Sequence, residues 1–156
     1  MFQPDRIDAP LLRQLYEYWR SKCDHKRIPS RPDIDPSDIP SVLPVVYLID
    51  VERNPLRFRF RLVGTYAGEW FGPNATGAYL DELLRGDPDG QMRRAFGQVV
   101  QSRVPRYDHC TKRRFGRISE YYDRLVLPLT NDDGKVNMLL CGLYVLPWEE
   151  QLALAN

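Results

Sequence analysis

Hydrophobic and polar positions along this chain follow two periods, and each change of period marks a predicted element. Leu11, Leu12, Leu15, Tyr16, Trp19 and Cys23 recur at three- and four-residue steps, opposite Arg13, Gln14, Glu17, Arg20 and Ser21. This predicts an amphipathic helix from Pro10 to about Lys22, with Asp8 as its cap and Pro10 in its first turn. Its wide aromatic stripe packs either on the domain or on a second copy. Five prolines between Arg27 and Pro44 prevent a long helix there. That stretch reads as an extended arm with one or two short helices. Asp35 or Asp38 is the candidate cap, and Pro36 and Pro40 suit first turns. Ile34, Ile39, Val42 and Leu43 need burial, so the arm lies over a core.

Val45 to Val51 and Arg57 to Val63 read as two strands joined by a turn at Asn54-Pro55. In the second strand Phe58, Phe60 and Leu62 share one face, and Arg57, Arg59 and Arg61 the other. At Gly64 the period becomes helical, with Tyr66, Ala67, Trp70 and Phe71 in register until Gly72, Pro73 and Asn74 stop it. A second short helical segment spans Gly77 to Leu84. Asp87-Pro88 starts a longer helix whose inner face is Met92, Phe96, Val99 and Val100. Gly97 inside that helix predicts a close backbone contact.

Three more strands follow: Arg106 to Arg113, Ile118 to Leu129 and Val136 to Leu146. The last two are joined by a turn from Thr130 to Gly134. The last strand is apolar on both faces, which predicts a central strand covered on both sides. The middle helices cover one side and the N-terminal helix the other. The predicted class is α+β: a five-stranded antiparallel sheet with short helices and one longer helix on one face. Residues 1–44 form the helix and proline-rich arm, 45–147 the sheet domain, and 148–156 a tail that forms a short helix or frays. The aromatic helical turns must fold back over the sheet, and the gap between them is a natural ligand site.

Composition narrows the function classes. The 156 residues suit one domain, with 22 basic and 21 acidic side chains and a formal charge of +1. That balance gives no general drive toward nucleic acid or an anionic membrane. The arginine ladder and the turn from Lys112 to Arg117 are basic, but Phe58 and Phe60 alternate to the buried face as in an ordinary amphipathic strand. No apolar run approaches the roughly 20 residues that span a bilayer. Gly64, Gly68 and Gly72 have GxxxG spacing in a segment too short to span. The first ten residues lack a basic region followed by an apolar one, so no secretory signal is read, and the expected compartment is the cytoplasm. There Cys23, Cys110 and Cys141 are expected as free thiols, with Cys110 and Cys141 as small core residues.

The element order resembles that of a PAS domain, and more closely a family of small bacterial single-domain PAS proteins. The residues that carry the resemblance are Leu15-Tyr16-Glu17-Tyr18-Trp19, Ile28-Pro29-Ser30-Arg31, Asp33-Ile34-Asp35-Pro36, Ile39-Pro40 and Leu43-Pro44. Further matches are Phe58-Arg59-Phe60-Arg61-Leu62-Val63-Gly64-Thr65, Thr76-Gly77, Leu80-Asp81-Glu82-Leu83-Leu84 and Leu125-Val126-Leu127-Pro128-Leu129. The resemblance spans about residues 10 to 146. It implies a sensory or protein-interaction module, often dimeric, with its ligand site between sheet and helices.

Enzyme signatures are thin. The chain has no GxGxxG, P-loop or HExxH motif. Cys23-Asp24-His25 and His109-Cys110 lack the CxxC pair of a zinc site. Residues adjacent in a strand point to opposite faces, so His109 is badly placed to activate Cys110. Flavin-adduct PAS domains carry a cysteine in an NCRFLQ-like motif, whereas Trp70 to Asn74 has none. Haem-binding ones commonly offer a histidine from the longer helix, and residues 88–103 contain none. No flavin, haem or metal is therefore expected, and an unidentified small organic ligand is left open.

The candidate cavity residues are Tyr66, Trp70, Phe71, Leu80, Leu84, Met92, Phe96, Leu140 and Gly142, which either line a space or fill the core. Tyr122 and Arg124 share a strand face. If it looks inward they can meet a carboxylate ligand; if outward, a partner. Leu12, Tyr16 and Trp19 are the candidate interface. The expected function is non-enzymatic sensing or signalling through a small molecule or a partner in trans, with a homodimer expected. The competing reading is a dimerisation scaffold with a filled core.

Overall fold

The computed structural model describes residues 2–25, 27–83, 87 and 89–155. Helix α1 (Pro10–Lys22) is followed by an arm with 3-10 turns at Arg31–Asp33, Pro36–Asp38 and Leu43–Val45. Strands β1 (Val46–Glu52) and β2 (Arg57–Val63) form a hairpin. Helix α2 (Thr65–Phe71), a 3-10 turn (Leu80–Glu82) and α3 (Gln91–Ser102) cross the sheet. Strands β3 (Arg106–Arg114), β4 (Arg117–Thr130) and β5 (Val136–Val145) follow, and α4 (Trp148–Ala155) ends the chain. All pairings are antiparallel, in the order β2-β1-β5-β4-β3. Strand β5 is thus central, as its two apolar faces require.

Each face of the sheet supports its own core. Leu12, Leu15 and Trp19 of α1 pack with Ile34, Val42, Leu48, Leu125, Leu127 and Leu140 on one side. Met92, Phe96 and Val99 of α3 and Ala67 of α2 pack with Tyr47, Ile49, Phe60, Val126, Leu139, Cys141 and Leu143 on the other. The arm is tied down at defined points. The Trp19 indole Nε1 donates to the Pro128 carbonyl at 2.9 Å. Thr130 N–H donates to the Pro29 carbonyl at 3.0 Å. The Tyr18 hydroxyl accepts from Asp35 N–H at 2.8 Å and donates to Asp38 Oδ2 at 3.0 Å.

Local chemistry explains the departures from expectation. Asp35 caps the Pro36 turn by accepting from Ser37 N–H. Asp8 does not cap α1; the cap position is Ala9, with no side-chain bond. Leu62 does not share the buried face of Phe58 and Phe60, and is 45% exposed. Leu48 pairs with Leu62 but Ile49 with Phe60, so Arg61 is an extra residue that inverts the parity beyond it. The stretch from Gly77 forms only one 3-10 turn. Gly77 N–H donates to the Phe60 carbonyl (2.7 Å) and Phe60 N–H to the Ala78 carbonyl (2.9 Å), so this backbone extends the sheet edge instead of coiling. Helix α3 starts at Gln91, and Asp87 caps it by accepting from Met92 N–H (2.7 Å) and Arg93 N–H (3.0 Å). Pro88 lies outside the described residues.

Two glycines of unlike role give a test of the packing. Among the described residues a Cβ on Gly97 would meet nothing within 4 Å, so the expected close contact is not found there. A Cβ on Gly142 would lie 2.6 Å from Leu12 Cδ2 and 3.1 Å from Leu15 Cδ2, both fully buried. Gly97→Ala should stabilise the fold by about 1 kcal/mol, and Gly142→Ala should destabilise it by about 1–3 kcal/mol. Urea titrations of both variants measure the two signs.

Candidate functional site

Strand β2 gives way at Gly64, the residue after its last, which has room for no side chain: a Cβ would lie 2.1 Å from the Leu43 carbonyl oxygen. The chain turns there into α2 and lays Tyr66, Trp70 and Phe71 against the sheet. The rings form a continuous set. Phe71 lies 5.0 Å from Tyr47 and 4.7 Å from Phe60 between centroids, and Phe58 lies 5.3 Å from Phe96. Trp70 is 4.8 Å from Phe71 and 4.9 Å from Tyr122. Its Nε1 donates to Glu120 at 3.0 Å, and the Lys112 ammonium stands 4.2 Å over its ring. Trp70 thus joins α2 to the far ends of β3 and β4.

A polar island lies within this aromatic layer. Arg124 is 1% exposed and faces the α2 and α3 side, as Tyr122 and Val126 do. Its Nη2 donates to Asp108 Oδ2 at 3.1 Å, and the same oxygen accepts from Arg106 Nε at 2.6 Å. Burial alone would raise the Asp108 carboxyl, but its two arginine partners hold it below the usual range. Tyr47, Tyr122, Cys110 and Cys141 surround the guanidinium. Burial pushes the Cys110 thiol up to about 11 and raises the other three groups as well.

The layer gathers Trp70, Phe71, Leu80, Met92, Phe96, Tyr122 and Arg124. Tyr66 stands at its end, where its hydroxyl accepts from Val145 N–H at 2.9 Å. Leu140 and Gly142 do not belong to it. They lie on the opposite face under α1, because alternation along β5 sends Leu139, Cys141 and Leu143 toward α3. Leu84 lies outside the described residues. Leu12 and Trp19 offer no surface to a partner, since the chain's own sheet buries them; Tyr16 is half-buried, 5.3 Å from Phe2.

Tyr47 and Asp108 escaped the sequence reading. Tyr47 sits in a strand that is apolar on both faces, so no parity singled it out. Asp108 sits in a weakly patterned strand, where a carboxylate two residues before a buried cysteine was the available signal. The arginine ladder is engaged locally: Arg57 binds Asp81 through Nε and Nη2 at 2.9 and 2.8 Å, and Arg61 pairs with Asp50 at 3.4 Å.

The cleft beside this layer, lined by Trp70, Asp87, Lys112 and Tyr122, has a volume of about 10 Å³. Wider clefts of about 580 and 430 Å³ flank β3; the larger touches Phe2, Arg6 and Ser102, and the smaller touches Asp8, Leu146 and Leu154 and reaches Cys110 and Tyr122 of the aromatic layer. Beside them, on the α1 side, Asp123 is buried but satisfied by His109 Nδ1 at 2.7 Å and by the Tyr107 hydroxyl.

A family model described as a PAS domain matches residues 7–145. The chain belongs to the PAS domain family. No curated protein matches it. The PAS domain of Bordetella pertussis BvgS is similar over 74% of this chain and 85% of that one, at 17% identity and a TM-score of 0.52. An RNA-binding Light-Oxygen-Voltage receptor is similar over 81% of this chain and 40% of that one, at 15% identity and a TM-score of 0.51. At these identities the likeness is one of fold. PAS domains are generally non-catalytic sensory or signalling modules, and they often mediate dimerisation. Among the described residues no helix is long and apolar enough to cross a membrane.

The buried thiol makes a pH prediction. Cys110 rises from an ordinary 9.0 to about 11 on folding. A raised value contributes stability that is complete below the unfolded value and lost as pH climbs through the folded one. The denaturation midpoint should therefore fall between about pH 9 and 11, and Cys110→Ala should flatten part of that fall. Urea titrations across the window check it. Iodoacetamide at pH 8 should label half-buried Cys23 well before buried Cys110; equal labelling would contradict the burial of its thiol.

Proposed function

We propose that this PAS domain is a sensory module that reads a small molecule between its sheet and helices α2 and α3, and passes the signal to a separate protein in the cytoplasm. The observation that carries the reading is the polar island in the aromatic layer. Packed cores satisfy their polar groups, and apolar pockets with a few convergent polar groups are the usual form of a ligand site. Here the Tyr47 hydroxyl and two Arg124 nitrogens are buried without a hydrogen-bond partner among the described residues. The aromatic wall offers stacking area, and the island fixes orientation.

The second reading is a homodimeric scaffold with a filled core. It is supported by ring centroids 4.7–5.3 Å apart and by the small volume of the adjoining cleft. Two measurements separate the readings. Native mass spectrometry of protein from its own host should show a bound small mass, and a metabolite screen by thermal shift should give a saturable rise. A dimer with no bound mass and no response to any compound favours the scaffold.

A further inference from the structure

An arginine carries a permanent charge and five N–H donors, so burying one is strongly unfavourable unless acceptors surround it. Arg124 is 1% exposed, yet only its Nη2 has a partner. Nε and Nη1 have none among the described residues. Among the described residues the one carboxylate in reach is shared, because Asp108 Oδ2 lies 2.6 Å from Arg106 Nε and 3.1 Å from Arg124 Nη2. Arg106 and Asp108 sit nearer the surface, with side chains 35% and 24% exposed, so the positive charge left over falls at the core end.

The remaining polar neighbours cannot balance it. Tyr47, Tyr122, Cys110 and Cys141 are phenols and thiols that burial keeps protonated at neutral pH. The Tyr47 hydroxyl is buried beside the Cys141 thiol, a weak acceptor, and has no partner of ordinary hydrogen-bond geometry among the described residues, so a carboxylate would be its better acceptor. The site is therefore rich in donors and short of one anion. Planar guanidinium matches planar carboxylate.

We propose, resting on the reading that this layer holds a ligand, that Arg124 and Tyr47 form a binding site for a compact carboxylate. The bound carboxylate accepts from the unused Arg124 nitrogens and from the Tyr47 hydroxyl, and supplies the negative charge the layer lacks. Size follows from the adjoining cleft. At about 10 Å³ it holds roughly one water, so a ligand of a few heavy atoms fits with the least displacement of the rings. Tyr122 neighbours Arg124 and lines both this cleft and the wider one beside Cys110, so the layer can be approached from either side of its ring.

The test uses the full chain and sodium formate, acetate and pyruvate, with sodium chloride and sodium phosphate at matched ionic strength. At least one carboxylate should raise the melting temperature by several degrees in a saturable manner. Arg124→Met removes the charge while keeping an extended apolar chain. It should melt higher than wild type in chloride and lose the carboxylate response. Tyr47→Phe, which keeps the ring, should weaken carboxylate binding several-fold and serves if Arg124→Met does not fold. In a nitrogen-15 spectrum, a protected arginine Nε–H signal should move with the same carboxylate at the same midpoint. Equal rises for all salts, a response to chloride or phosphate but not to carboxylates, a response kept in Arg124→Met, or unchanged affinity in Tyr47→Phe would each overturn the site. Saturable stabilisation by a neutral metabolite alone overturns the carboxylate site and leaves the sensory reading standing. No response to any compound removes both.

Discussion

The structure depends on the burial of β5 from both sides. A central antiparallel strand with side chains of Leu139, Cys141 and Leu143 on one face and Met138 and Leu140 on the other is stable only between two layers. Helices α2 and α3 supply one layer and α1 with the arm supplies the other. The absence of a side chain at Gly142 sets how closely α1 approaches, since Leu12 and Leu15 occupy that space. The N-terminal segment is thus structural, and the residues it spends on the sheet are withdrawn from any partner.

The two layers differ in kind. The α1 side has a mainly aliphatic centre with aromatic residues at its margin, and two of its buried polar groups are matched: the Trp19 indole meets a carbonyl, and Asp123 meets His109 and a tyrosine. The α2 and α3 side is aromatic and holds an arginine with one shared carboxylate. The α1 layer closes its polar groups within the chain, and the α2 and α3 layer keeps buried donors unmatched among the described residues.

The sequence was most legible where a single period ran without interruption. The α1 stripe and the final hairpin were readable for that reason, and their ends fall within a residue or two of the expected ones. Parity failed where it carried no information or was broken. In β5 both faces are apolar, so nothing in the pattern distinguishes Leu140 from Leu139, and Leu140 and Gly142, expected on the α2 and α3 side, face α1 instead. In β2 one extra residue inverted the alternation at Leu62. Parity correctly tied Tyr122 to Arg124, but the direction of that face depended on where α3 crosses the sheet, which is a tertiary fact. Gly97 departs from the expected close contact because a helix can carry a glycine with open space beside it.

Strand β4 outruns its neighbour. Its pairing with β3 ends where Arg106 meets Val126, and Leu127 to Thr130 continue with β5 alone. A bare strand edge invites addition of a strand from another molecule. Here Pro128 has no N–H to offer, its carbonyl is held by Trp19, and the Thr130 N–H is held by Pro29. The proline-rich arm and α1 together close the overhanging end of β4, so the segment that secures the second core also takes up the backbone groups that this strand leaves unpaired by β3.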